Sequence, residues 1–182
     1  MRHDCTIRNE RAADRTHIAQ LHGAAFGAES SVPALVQDLR ELDAAFPTIS
    51  LVATDGADVP LGHVMVSHAW LDGWDRMIDV MVLSPLGVRP DVQRAGIGTA
   101  LIEAAMSQAD GFGVPMVLLE GNPGYYGSRG FEAAIPLNIR RPSLRIPERA
   151  FQVRRLQAYR SSMTGTFVYH DIHWIHGVGL YR

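Results

Sequence analysis

Residues Leu86 to Thr99 read as a broken strand that passes through a short loop into the first turn of a helix, and few folds accommodate that passage. The β-rich run Met77–Val88 is unusually long, and Ser84-Pro85 and Gly87 interrupt it, which predicts a bulge that leaves backbone groups unpaired. The helix is expected from Gly96 to about Ala109, with Ile97, Leu101, Ala105 and Ala109 on one stripe. The first N–H groups of a helix have no internal partners, and the dipole there favours negative charge. A diphosphate at that end satisfies both. Gly96 and Gly98 lack a Cβ that would keep phosphate oxygens from the main chain, and Arg94 can add charge-assisted contacts.

Around this segment the chain reads as an alternation of strands and helices. Cys5–Arg8 is expected as a first strand, followed by a helix capped by Asp14 and running to about His22. Ser30 or Ser31 precedes Pro33 in the first turn of a second helix, in which Val32, Leu35, Val36, Leu39, Leu42 and Phe46 recur at helical spacing until Pro47. Ile49–Thr54 and Leu61–Ala69 form a hairpin about the turn cluster Asp55 to Pro60. Gly111 and Gly113 stop the glycine-headed helix before a strand at Val114–Leu119. Further strands are expected at Phe151–Leu156 and Thr166–His170. That order fits one mixed α/β domain.

Composition excludes several functions. The 182 residues include one cysteine, Cys5, so an internal disulfide and a cysteine-rich zinc site are ruled out. All 17 basic residues are arginine, which rules out a lysine Schiff base or a phosphate-loop lysine. The net charge of −2 gives no pull toward nucleic acid or membrane. No apolar run approaches a membrane span, and Met1 to Cys5 lack a signal peptide's apolar core, so a cytoplasmic location is expected.

The hexad Gln93-Arg94-Ala95-Gly96-Ile97-Gly98 follows Val88-Arg89-Pro90, and Tyr126-Gly127-Ser128-Arg129-Gly130-Phe131 comes after the next strand. In these two motifs and their order the chain resembles the GNAT (Gcn5-related N-acetyltransferase) superfamily, whose signature is Gln/Arg-x-x-Gly-x-Gly/Ala. The core resemblance covers Ile49 to Phe131. Gly121-Asn122-Pro123-Gly124-Tyr125-Tyr126 replaces the commoner Asn-x-x-Ala and is similar to a branch of predicted bacterial N-acetyltransferases. Ile146-Pro147 and Ala150-Phe151-Gln152-Val153 extend that likeness toward the C-terminus.

The resemblance implies a single domain over 1–182, with a core of about 5–135 and family-specific strands and loops over 136–182. It implies a largely antiparallel sheet flanked by helices, with a splayed central strand pair. It implies acetyl-CoA as co-substrate, bound by Leu86, Gly87, Val88, Gln93, Arg94, Ala95, Gly96, Ile97, Gly98, Thr99 and Tyr126. Leu86 N–H would hold the oxyanion, and Tyr126 would protonate the departing thiolate. The acceptor would be the amine of a small molecule or peptide, with neither nucleic acid nor membrane as partner, and a homodimer is compatible.

The general base stays open. Where some relatives carry a strand glutamate this chain has Val82; Glu120 is the best substitute, with Asp79, His68 or a water chain as weaker ones. A non-catalytic acyl-CoA-binding regulator or scaffold of the same fold is the competing reading. A Rossmann-type site fails for want of Gly-x-Gly-x-x-Gly and its ribose-binding acid. The run His170–His176 is expected to be extended and not a metal site. Trp70 and Trp74 are expected to pack, and Arg140, Arg141, Arg145 and Arg149 to be solvated.

Overall fold

A computed structural model of the chain describes residues 5–27, 29–42 and 44–178. Its spine is a hairpin of two long strands. Thr6–Asn9 (β1) and Ile49–Thr54 (β2) lead to Pro60–Asp72 (β3) and Met77–Val88 (β4). These four pair antiparallel in chain order. β3 is buried along nearly its whole length because helices cover both of its faces.

Met116–Glu120 (β5) then pairs parallel to β4, and through only two partners, Met81 with Val117 and Val82 with Leu118. Beyond Val82 and Leu118 the two strands part. The sheet continues through the later strands Glu132–Ala133 (β6), Ile139–Arg140 (β7), Phe151–Arg155 (β8) and Gly165–Val168 (β9). β8 lies antiparallel beside β5, β6 beside β8, and β9 takes the edge of β3 at Trp70–Asp72 where β2 has ended. The expected mixed, largely antiparallel sheet with a splayed central pair is what forms.

Helices Arg15–Phe26 (α1) and Val32–Leu39 (α2) cover one face, burying Ile18, Leu35, Val36 and Leu39 against Val52 and Met65. Ile97–Gly111 (α3) covers the other, with Ile97, Leu101, Ile102 and Ala105 against Leu51, Val64 and Val66. Two short helices complete the chain, Pro123–Gly127 (α4) and Asp171–Ile175 (α5).

Three local expectations are corrected. Asp14 precedes α1 but makes no side-chain cap, because its carboxylate accepts from both Arg8 nitrogens (2.7 and 2.9 Å) and from the Arg11 N–H (2.7 Å). The charged pair outcompetes a neutral cap. α2 ends at Leu39, so neither Leu42 nor Phe46 is on it; Thr48 Oγ1 donates to Leu39 O (3.2 Å), and Arg40 turns to Glu10 (2.8 Å). The histidine run is helical over Asp171–Ile175, where His173 stacks on Tyr169 and Trp174 meets it edge-on.

Candidate active site

The bulge in β4 sets the geometry. Val64 faces Leu86 and Val66 faces Leu83, so Met65 alone opposes Ser84 and Pro85. Arg89 N–H donates to Leu61 O (2.9 Å). By antiparallel alternation, Gly87 then directs its amide at His63 across the ladder, and Leu86 and Val88 direct theirs away from β3. They face the gap left where β5 departs. The Val88 carbonyl accepts from Gln93 Nε2 there (3.1 Å).

The helix start lies beside that gap. Gly96 is the N-cap residue at φ +91°, a conformation that glycine adopts without a steric cost, and no side chain caps it. Ala100 N–H donates to Gly96 O (3.1 Å), so the Ile97, Gly98 and Thr99 amides precede the first intrahelical bond. Arg94, at φ +63°, is a second left-handed residue in the same loop. A Cβ at Gly98 would point across the cleft toward Tyr125, 2.3 Å from its hydroxyl, and stand 3.7 Å from Val88 Cγ2.

Tyr126 is set by the turn after β5. Asn122 Oδ1 accepts from Gly124 N–H (2.8 Å) and Pro123 occupies the first helical position, which together start α4 abruptly. The Tyr126 ring then packs edge-on against Phe131, and a Cβ on Gly121 would lie 2.2 Å from its Cε2. Gly121 is therefore what lets the ring close on the strand end.

These parts line one cleft of about 600 Å³, formed by Leu86, Val88, Gln93, Arg94, Gly96, Ile97, Gly98, Thr99 and Tyr126. Two residues that the sequence reading included do not line it. Gly87 faces α1, where a Cβ would stand 2.7 Å from His22 Nδ1, and Ala95 is absent from the wall. Two that it left out do line it. The Arg129 guanidinium sits 3.7 Å over the Tyr125 ring, with Nε donating to Thr99 Oγ1 (3.0 Å). Arg129 stood in a variable position of the tyrosine motif, and only the fold returns it to α3.

The base candidates separate. Val82 is fully buried in the sheet. His68 and Asp79 bind each other (2.9 Å) and line none of the clefts described here. Glu120 ends β5 and lines a second hollow, of about 320 Å³, together with Leu83 and Ser84 of the bulge. Burial raises its carboxyl above the ordinary range, and the hydroxyl of Tyr169, which donates to it, offsets part of that.

Elsewhere buried polar residues bond one another in a chain that leaves His22 Nδ1 without a partner. Under Gly87, His22 Nε2 reaches His63 Nδ1 (2.8 Å), His63 Nε2 reaches Ser50 Oγ (2.9 Å), and Ser50 binds Glu10. Burial pushes His22 down to about 3 and also lowers His63, so both rings are neutral. Burial would raise Glu10, but hydrogen bonds from His63, Ser50 and Arg40 outweigh it and hold the carboxyl at about 2. Trp70 stacks on His170, Trp74 is fully exposed, and Arg141 pairs with Glu148 (3.0 Å). Among the described residues no three His, Cys, Asp or Glu side chains are grouped to hold a metal, and no helix is long and apolar enough to cross a membrane.

A parted strand pair beside bare helix amides defines an acyltransferase-type fold and cleft. Residues 15–131 match the Acetyltransferase (GNAT) family, and the chain belongs to that family. An uncharacterized N-acetyltransferase of Escherichia coli K12, YjhQ, is 30% identical over 131 residues, 71% of each protein. The GNAT family N-acetyltransferase YhbS of Escherichia coli, solved with CoA, superposes with a TM-score of 0.80 at 31% identity, over 92% of this chain and 91% of that one. A GNAT family acetyltransferase of Brucella melitensis, solved with acetyl-CoA, gives 0.72 at 30% identity, over 93% and 98%.

Proposed function

We propose that this protein, acting as one domain, transfers an acetyl group from acetyl-CoA to the amine of a small molecule or peptide by direct attack on the thioester. The carrying observation is that the Gly96–Thr99 amides, the outward amide of Leu86 and the Tyr126 ring share one cleft. The fit of the coenzyme rests on Gly96 and Gly98, the two glycines of the cleft wall, which leave the amides at the helix start uncovered by a Cβ.

Each residue then has a task. The Ile97, Gly98 and Thr99 amides hold the diphosphate, with Arg94 and Arg129 adding charge. The Leu86 N–H donates to the oxygen that gains charge during attack, and one such donor is worth about 3–4 kcal/mol. Tyr126 gives its proton to the sulfur, a contribution of roughly 10²–10⁴ in rate. Holding amine and thioester in near-attack geometry contributes about 7–11 kcal/mol. Bound acetyl-CoA supplies the activated acyl group.

Val82, a buried apolar residue where some relatives carry a glutamate, favours a second reading, an acyl-CoA-binding regulator without turnover. Release of free thiol from acetyl-CoA across an amine library separates the two. Turnover supports transfer; tight binding with no release on any amine supports the regulator.

A further inference from the structure

We infer that the 320 Å³ hollow beside Glu120 is the acceptor pocket, and that it takes a compact, apolar primary amine bearing no anionic group, with Glu120 as the residue that receives the amine's proton. This rests on the transfer reading above.

The first observation is topological. Along β5, Leu119 packs on the α3 side of the sheet with Tyr126, and Leu118 packs on the opposite side with Tyr169. By strand alternation Glu120 follows Leu118 and points away from the coenzyme cleft. The next residue, Gly121, lies under the Tyr126 ring on the α3 side. Ser84 lines the hollow, whereas Leu86 and Val88 line the cleft; Leu83, which packs with the α3-side core and also lines the hollow, stands between the two. The two spaces thus approach from opposite faces of the sheet, at the one place where β4 and β5 no longer pair. An amine entering from one face meets a thioester laid in from the other.

The second observation is chemical. The hollow has Phe26, Val32, Leu83 and Val178 as apolar wall and one formal anion, Glu120. None of the described lining residues is an arginine, in a chain with 17 basic residues that are all arginine. An acceptor carboxylate or phosphate would meet the Glu120 carboxylate with no arginine to pair it among the described lining residues, whereas an ammonium would be matched. A volume of about 320 Å³ is at the lower end of the ~300–1,000 Å³ usual for ligand pockets, which selects a compact molecule over a peptide.

Glu120 takes one proton from the ammonium and releases it to solvent. The neutral nitrogen bonds to the thioester carbon as the carbon–sulfur bond breaks. Tyr126 gives its proton to the leaving sulfur and recovers one from the attacking nitrogen. Ammonium and acetyl-CoA become amide, free thiol and one proton. The groups facing Glu120 are Tyr169, whose hydroxyl donates to it, His173 stacked behind that ring, and His176 across the hollow, which is paired with Asp38 (2.6 Å).

The test uses the full chain with acetyl-CoA and three probes: phenethylamine, phenylalanine, which adds a carboxylate to the same ring and amine, and a lysine peptide with blocked termini. Thiol release should be at least about 10-fold faster in kcat/KM for phenethylamine than for either other probe. Glu120→Gln should lower that value by roughly 10²–10⁴ with acetyl-CoA affinity unchanged. Tyr169→Phe should move the acidic limb of the kcat/KM profile to higher pH, because a bond that favours the carboxylate is removed. Val32→Trp, which fills the hollow without touching Glu120, should weaken calorimetric binding of phenethylamine to the CoA-loaded protein. Equal or preferred use of phenylalanine or peptide, a fully active Glu120→Gln, or no phenethylamine binding would each overturn the acceptor assignment while acetyl-CoA still bound. Failure of wild-type protein to bind acetyl-CoA would instead overturn the transfer reading beneath it.

Discussion

Replacing Gly98 by alanine should separate stability from coenzyme binding. Gly98 is the second residue of α3, where alanine improves on glycine by at most the ~0.5–1 kcal/mol seen in helix interiors. The new methyl group would meet Tyr125 at its hydroxyl, 2.3 Å from the ideal Cβ, and Val88 Cγ2 at an ordinary 3.7 Å. The Tyr125 ring is stacked under Arg129 and lies edge-on to Tyr126, so moving its hydroxyl offsets that gain, and the folded state should stay within about 1 kcal/mol of wild type. The same methyl group occupies the space through which a phosphate oxygen reaches the Gly98 and Thr99 amides. Loss of one hydrogen bond to a charged group is worth about 1.5–3 kcal/mol, or about 10- to 150-fold in affinity. Thermal unfolding and calorimetric titration with acetyl-CoA measure the two effects on one preparation. A variant that is as stable as wild type and binds within twofold of it would refute the amide cradle. Gly96 is a poorer choice for this purpose, because its φ of +91° makes any side chain strained before a ligand arrives.

Other perturbations test separate parts. Tyr126→Phe should cut kcat by about 10²–10⁴ and leave acetyl-CoA affinity within a few-fold; a variant of wild-type speed, where chemistry limits, would remove the hydroxyl from the mechanism. Gly121→Ala should slow turnover at least about 10-fold by pushing the Tyr126 ring off the strand end, and unchanged turnover would show that the ring's position is immaterial. Burial holds His22 at about 3 and His173 at about 4, against an ordinary value near 6.5. Because the unfolded chain binds these protons first, stability is full above that value and falls as pH drops through it. At pH 5 the two should cost about 2 kcal/mol each, or about 8–16 °C in melting temperature relative to pH 7.5. A melting temperature that is flat over that range would contradict the neutral burial of both rings.

The parts legible in the sequence were those governed by local backbone chemistry. Pro85 and Gly87 marked the β4 irregularity, and paired glycines ahead of the Ile97, Leu101 and Ala105 stripe marked the start of α3. Parts that depend on distant partners were not legible. Asp14 has the sequence position of a cap, and no pattern in the chain around it reveals that Arg8 folds back onto it. The run His170–His176 follows an extended pattern in sequence, whereas in the fold His173 stacks on Tyr169, which itself reaches Glu120 some 49 positions away. Tyr125 and Arg129 carry no local signal for the same reason, since their place in the cleft is set by the return of α4 against α3 and by a bond to Thr99. Glu120 was named from its place at the end of a strand, but its face, opposite the coenzyme cleft, comes from the alternation along β5 and its contact with Tyr169.

The most direct measurement is a crystal structure of this chain grown with acetyl-CoA. Diphosphate oxygens within hydrogen-bond distance of the Ile97 to Thr99 amides, with the thioester carbonyl on Leu86 N–H, are expected. Phosphates bound elsewhere on the molecule, or a thioester lying clear of the gap between β4 and β5, would contradict the assignment.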